Sequence, residues 1–156
     1  AEETLRNAAL SIFPFLSRQF RYGKIQQWDF SIQHQFSRTL VLEALYQGAG
    51  GVNLLVFDNI NFRAPGPGNV QTQLPYPQFV RIQAEDVWGR SWFHGLGLKL
   101  EQRPARGLSY LIAYTWSKSL DLASTFNTAP LWVDPFNRNT AKGPSDFNAP
   151  HRFSAA

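Results

Sequence analysis

The chain contains no cysteine, which removes disulfide scaffolds, thiolate metal sites and cysteine nucleophiles. Without thiols it is indifferent to the redox state of its compartment. Methionine is also absent, even at position 1, so the chain is expected to be a processed product or a piece of a longer protein. Charged residues reach only 17%, against roughly 25% in an ordinary soluble domain. No stretch approaches the ~20 consecutive apolar residues of a membrane helix, and Ala1-Glu2-Glu3-Thr4 lacks the basic start and apolar centre of a secretory signal. Helical membrane insertion is excluded. A transmembrane β-barrel is not, because its strands carry their hydrophobicity on alternate positions.

Aromatic surface is abundant instead: 13 Phe, 5 Trp and 5 Tyr make up 15% of 156 residues. The first segment suggests a short helix over residues 2–12, ended by Phe13-Pro14-Phe15. From residue 28 the pattern has a period of two. Even positions carry Trp28, Phe30, Ile32, His34 and Phe36, then Leu40, Leu42, Ala44 and Tyr46 after a turn at Ser37-Arg38. A second pair of runs places Trp92, His94, Leu96, Leu98 and Leu100, then Leu108, Tyr110, Ile112, Tyr114 and Trp116, on the same parity, with Pro104-Ala105-Arg106-Gly107 as the turn. Across these runs 17 of 19 even positions are apolar or aromatic, against 5 of 20 odd ones. No even position is charged, whereas Asp29, Glu43, Lys99 and Glu101 are odd.

Such alternation fits a soluble sheet packed on a second layer as well as a barrel wall in lipid. Three features favour lipid. The large rings Trp28, Tyr46, Trp92, Tyr114 and Trp116 gather at one end of their strands, as in an interfacial girdle. Each run covers about nine residues, which at ~3.3 Å per residue and a tilt near 40° crosses roughly 20 Å. Short turns lie at one end and long polar connections, residues 48–91 and 117–150, at the other, matching the periplasmic and extracellular ends of outer-membrane barrels. Charge is avoided on the even face because Arg or Lys at the bilayer midplane costs roughly 2–4 kcal/mol.

Several stretches resemble a known family: Gln27-Trp28-Asp29-Phe30-Ser31-Ile32-Gln33, Leu40-Val41-Leu42-Glu43-Ala44-Leu45-Tyr46-Gln47-Gly48, Tyr76-Pro77-Gln78-Phe79, Leu98-Lys99-Leu100-Glu101-Gln102-Arg103, Gly107-Leu108-Ser109-Tyr110 and Tyr114-Thr115-Trp116-Ser117-Lys118-Ser119-Leu120-Asp121. With Ser145-Asp146-Phe147-Asn148 and His151-Arg152-Phe153, which look like the approach to a further strand, they resemble the barrel of TonB-dependent outer-membrane receptors of the Oar-like type. The resemblance implies an all-β fold of antiparallel hairpins in a transmembrane barrel with long extracellular loops, at the cell outer membrane. It further implies uptake of bulky nutrients by the full-length parent, with outer-membrane lipid, the remainder of the barrel, its plug and TonB as partners. Residues 1–156 read as a single segment of such a barrel, with about four strands in 27–48 and 91–117 and the start of a fifth near 151. No plug domain is recognisable.

Chemistry of other kinds finds little support. Gly48-Ala49-Gly50-Gly51 has no following Lys-Ser/Thr and reads as the start of a flexible loop rather than a phosphate cradle. Asp134, Asn137 and Asn139 lack the spacing of a calcium loop and read as a capped turn. His34, His94 and His151 show no metal-ligand spacing, and His34 and His94 read as interfacial histidines. Arginines and lysines are scattered among turns and loops (Arg38, Arg63, Arg81, Arg90, Arg103, Arg106, Arg138), so nucleic acid is not expected as a partner. Trp88, Trp132, Phe57 and Tyr76 lie outside the alternating runs, where they either anchor their loops or touch a sugar or peptide. No catalytic, cofactor-binding or metal-binding residue is assigned, no cofactor is expected, and ligand-contacting residues stay open. The alternative is a soluble β-rich module binding a glycan or protein, with its even face covered by the N-terminal segment; an enzyme is not expected.

Overall fold

Alternating apolar and polar side chains are segregated only by extended backbone, and short turns join successive extended runs as antiparallel neighbours. The computed structural model describes residues 11–16, 20–63, 65–79, 81–105, 107–125, 134 and 136–156. Their strands are β1 (Ser11–Leu16), β2 (Lys24–Gln35), β3 (Leu40–Asn59), β4 (Arg81–Ala105), β5 (Leu108–Asp121), β6 (Gly143–Pro144) and β7 (His151–Ala155). They form one sheet in the order β2-β3-β4-β5-β6, with β7 also on β5 and β1 parallel to β4. Two short 3-10 turns, Gln71–Gln73 and Arg138–Ala141, are the helical elements among the described residues.

Registers preserve the two faces across the sheet. Phe30 stands opposite Tyr46, Tyr46 opposite Leu96, and Leu96 opposite Trp116, so even positions share one face from β2 to β5. On β7 the parity changes, with His151 opposite Trp116 and Phe153 opposite Tyr114, and these odd-numbered rings join the same apolar face. The opposite face carries rows such as Gln33, Glu43 and Lys99. Nothing among the described residues covers the apolar face: Phe30 is 63% exposed, Ile32 57% and Leu98 40%. The described part of the N-terminal segment, Ser11–Leu16, lies beside β4 and extends the sheet rather than layering onto it, unlike the cover that the soluble-module alternative calls for.

At the short-turn end the chain uses hydroxyl and glycine chemistry. Ser37 Oγ accepts hydrogen bonds from the Thr39 and Leu40 N–H groups, at 3.3 and 3.1 Å, closing the turn between β2 and β3. Gly107, at φ +80°, turns β4 into β5 in a conformation that side chains with a Cβ disfavour.

Two expectations are corrected. The helix over residues 2–12 is not formed at its described end, because Ser11 and Ile12 already belong to β1 and pair with Arg81 and Ile82; residues 1–10 lie outside the described part. The connection 48–91 is largely strand, with β3 running to Asn59 and β4 starting at Arg81. Likewise β5 continues past residue 117 to Asp121. Glycine misleads here because it does not mark a loop. Gly48 pairs with Trp28, whose indole occupies the space a Cβ would take, and glycine in a strand is the usual answer to such close approach.

The long β3–β4 hairpin bends at a pair of bulges. Asn53 takes φ 55°, and the register shifts once between Gly51 and Leu54 and back between Leu54 and Val56. Asn is the non-glycine residue best suited to this left-handed geometry. One extra residue on each strand inverts which parity faces which side. A Cβ at Gly51 would meet Ser91 and Leu54, and one at Gly89 would meet Leu54 and Val56, which places Val56 on the polar face with Gly51. Its partner Asp86, and the next rung on that face, Asp58 with Ala84, follow.

Gly48→Ala is expected to destabilise the protein by about 1–3 kcal/mol through overpacking. In a Trp28→Ala background the same change is expected to be neutral or stabilising by about 0.4–1 kcal/mol, because the lost glycine freedom then acts alone. Urea unfolding midpoints over the four combinations measure the difference.

Candidate functional site

The alternating runs create two working surfaces, an apolar face banded by rings and a polar face that closes over at the loop end. On the apolar face, Trp28 lies across Gly48 and reaches His94, with ring centroids 6.2 Å apart at 60°. Tyr46 Oη is 2.8 Å from His94 Nδ1, and Tyr114 Oη is 2.8 Å from His151 Nδ1. These are equivalent diagonals, since each Tyr lies one rung further from the loops than its His on the neighbouring strand. Polar atoms on an otherwise apolar surface are thereby satisfied in pairs. His34 packs edge-on against Phe36, 4.6 Å between centroids, at the short-turn end.

The sequence-derived ring row is a staggered band spread over four apolar rungs. Trp28 shares a rung with Gly48, His94 and Lys118; Tyr46 and Trp116 lie one apolar rung below; Tyr114 lies a further rung below, and Trp92 one above with Leu120.

On the polar face beyond the bulges, Arg138 donates to Asp58 Oδ2 at 3.2 Å and to Asp86 Oδ2 at 3.3 Å, and its guanidinium stacks 4.7 Å from the Trp88 ring centroid. Asp58 is buried. A buried carboxylate requires such a partner, and the planar guanidinium meets two carboxylates and a ring at once. This cluster fastens the segment after β5 onto the β3–β4 hairpin.

A second clasp holds the connection 60–80. The buried Asn61 side chain donates to the Tyr76 carbonyl at 3.1 Å and the Phe79 carbonyl at 2.7 Å, and accepts from the Tyr76 N–H at 3.0 Å. Asn59 Oδ1 accepts from the N–H groups of Asn61 and Ile82, both at 3.1 Å. The Asn61 side chain thus ties the connection to the end of β3 with three hydrogen bonds to its backbone.

The motif Ser145-Asp146-Phe147-Asn148 completes the free edge of β5. The Ser119 carbonyl accepts from the Ser145 N–H, the Ser119 N–H donates to Asn148 Oδ1, and Ser117 is joined to Ala149 and Pro150. Ser119 and Ser145 also share a hydroxyl contact of 2.9 Å. The ladder therefore stays satisfied where the chain bulges between β6 and β7.

The three histidines are not brought together, and no metal-holding group of His, Asp or Glu occurs among the described residues. Gly48, Gly50 and Gly51 belong to β3, which corrects their reading as the start of a flexible loop. Asp134 does close a turn, its Oδ1 accepting from the Phe136 N–H at 2.9 Å, ahead of the 3-10 turn at Arg138–Ala141. Of the rings set apart in the sequence, Trp88 and Phe57 belong to strands, Tyr76 is held by the Asn61 clasp, and Trp132 lies outside the described residues. Asn59, Asn61 and the Arg138 cluster are visible only in three dimensions, although an Asn-Ile-Asn triplet ahead of a Pro- and Gly-rich stretch is a fair signal for a side-chain clasp.

A family model described as "Outer membrane beta barrel domain" matches residues 2–156. No curated protein and no solved structure matches the chain.

Asn61→Ala is expected to remove three hydrogen bonds and leave the Tyr76 N–H unsatisfied, at a cost of about 1–3 kcal/mol localised to the connection 60–80. Hydrogen exchange at the Tyr76 amide reads this directly. It should accelerate while amides of the Phe30, Tyr46 and Leu96 rung stay protected.

Proposed function

Because the chain belongs to the outer-membrane β-barrel domain family and has its place in the outer membrane, we propose that it is a wall segment of a TonB-dependent receptor that takes up bulky nutrients. The even face meets outer-membrane lipid and the odd face lines the lumen. The observation that carries this reading is the single-layer sheet: one face free of acids and ringed at one end, the other bearing Asp29, Glu43, Lys99 and Glu101, with no second layer among the described residues.

The TonB-dependent, Oar-like assignment is supported by the order of the resembling stretches and by the work that one of them does. Ser145 to Asn148 is the bridge that lets β5 accept its next neighbour, so that motif answers a structural need of a multi-strand wall. The edges formed by β2 and β7 call for further strands, since an exposed ladder pairs readily with other chains. The remainder of the barrel and a plug are the expected partners, with TonB reached through the full-length parent. The segment performs no catalysis, uses no cofactor and binds no nucleic acid under this reading.

The test is TonB itself. The intact parent receptor in detergent is expected to retain a purified periplasmic TonB domain on a sizing column, more strongly when its nutrient is bound. Absence of a complex under all loading conditions would reduce the reading to an outer-membrane barrel of another kind.

A further inference from the structure

Cations scattered in sequence are aligned in space. On the uncovered face, Lys24 lies four residues beyond Trp28 on β2, Arg90 two beyond Trp92 on β4, and Lys118 two beyond Trp116 on β5. Lys142, just before β6, places Nζ 4.3 Å from the Trp92 ring centroid. Registers fix the face: Lys24 is opposite Val52, Lys118 is opposite His94, and the Arg90 carbonyl continues the ladder by accepting from the Leu122 N–H. All four are exposed and stand on the loop side of the rings of their own or the adjoining strand.

Up to the bulges the two faces differ in the sign of their charges, the polar side carrying both signs and the uncovered side only cations. On the polar side Lys99 and Arg103 meet Glu101, and Arg138 meets Asp58 and Asp86. Among the described residues, Lys24, Arg90, Lys118 and Lys142 make no ion pair, and the neighbouring positions of their face hold Gln26, Gly50, Val52 and Leu120 rather than acids. Asp29 and Asp121 project to the other side. Four unpaired cations, a belt of indoles and an apolar strip below them lie in that order along the strands. Only an amphiphile with an anionic head and hydrocarbon tails complements all three.

We propose that this band binds phosphate-bearing lipid headgroups of the outer leaflet, with Lys24, Arg90, Lys118 and Lys142 as the phosphate contacts and Trp28, Trp92 and Trp116 at the head–tail boundary. The site rests on the lipid-facing reading of the even face. Charge-assisted hydrogen bonds to phosphate oxygens supply the attraction, at about 1 kcal/mol or fivefold in affinity per cation near a charged surface.

The experiment uses the intact parent receptor in phosphatidylcholine nanodiscs containing a minor fraction of bis-phosphorylated lipid A, with retained lipid A counted by native mass spectrometry after extraction. Lys24→Gln, Arg90→Gln, Lys118→Gln and Lys142→Gln combined are expected to lower retention by more than about tenfold, whereas Lys24→Arg, Lys118→Arg and Lys142→Arg combined keep it. Arg38→Gln, at the short-turn end, controls for net charge and is expected to change nothing. Heat-modifiable electrophoretic mobility reports folding; if the fourfold variant does not fold, Lys24→Gln and Lys118→Gln singly are each expected to show about a fivefold loss. Unchanged retention in a folded neutral variant overturns the site, as does an equal loss in Arg38→Gln or equally tight binding of inorganic phosphate alone. Quenching of Trp28 and Trp116 by brominated acyl chains in the same discs separates the two levels. Its absence sinks the lipid-facing reading, and its presence with unchanged retention sinks only the headgroup site.

Discussion

A sheet one layer thick has no interior, so each of its faces must find a different surrounding. That constraint accounts for most of what is observed. Between the edge strands β2 and β7 backbone groups are satisfied within the ladder, which leaves side chains to decide which medium each face tolerates. The apolar face pairs Tyr46 with His94 and Tyr114 with His151, and on the polar face Glu101 meets Lys99 and Arg103 while Arg138 meets Asp58 and Asp86. Neither face needs a packed core, and buried apolar residues are correspondingly few: Val41, Val56, Ile82, Ala84, Val87 and Leu122 among the described residues.

Order at the loop end has another origin. Beyond the rings β3 and β4 run on as a hairpin, and the bulge pair at Asn53 turns its buried positions toward the polar side. There the sheet acquires partners, with Arg138 joining two carboxylates from separate strands and Asn61 substituting for backbone rungs. Polar contacts of this kind are directional, and so they fix the connections against the wall where hydrophobic burial alone would let them slide. In the proposed receptor this is the mouth through which nutrients enter.

The strands were legible wherever parity was undisturbed. Trp28 to Phe36 and Trp92 to Leu100 declare their faces because a period of two admits one interpretation. The extensions of β3 and β4 were hidden for two physical reasons. Gly48, Gly50 and Gly51 look like loop residues until the Trp28 indole is placed above Gly48. Past Asn53 the bulges then reverse the parity that a reader would extrapolate. The Arg138 cluster could not be read at all, since Asp58 is 80 positions away in sequence and nothing local marks the pair. The outer-membrane β-barrel class was legible for a different reason: it resides in the charge-free even face, the ring row and the unequal connections taken together, none of them decisive alone.

The central claim is that hydrocarbon is the medium of one face and water that of the other. Single nitroxide labels at each position of 94–100 on β4, in the intact barrel protein reconstituted in lipid, test it most directly. Collision with oxygen is predicted to peak at positions 94, 96, 98 and 100 and collision with an aqueous nickel chelate at 95, 97 and 99. Loss of that alternation, or even positions shielded from both reagents, would contradict the account.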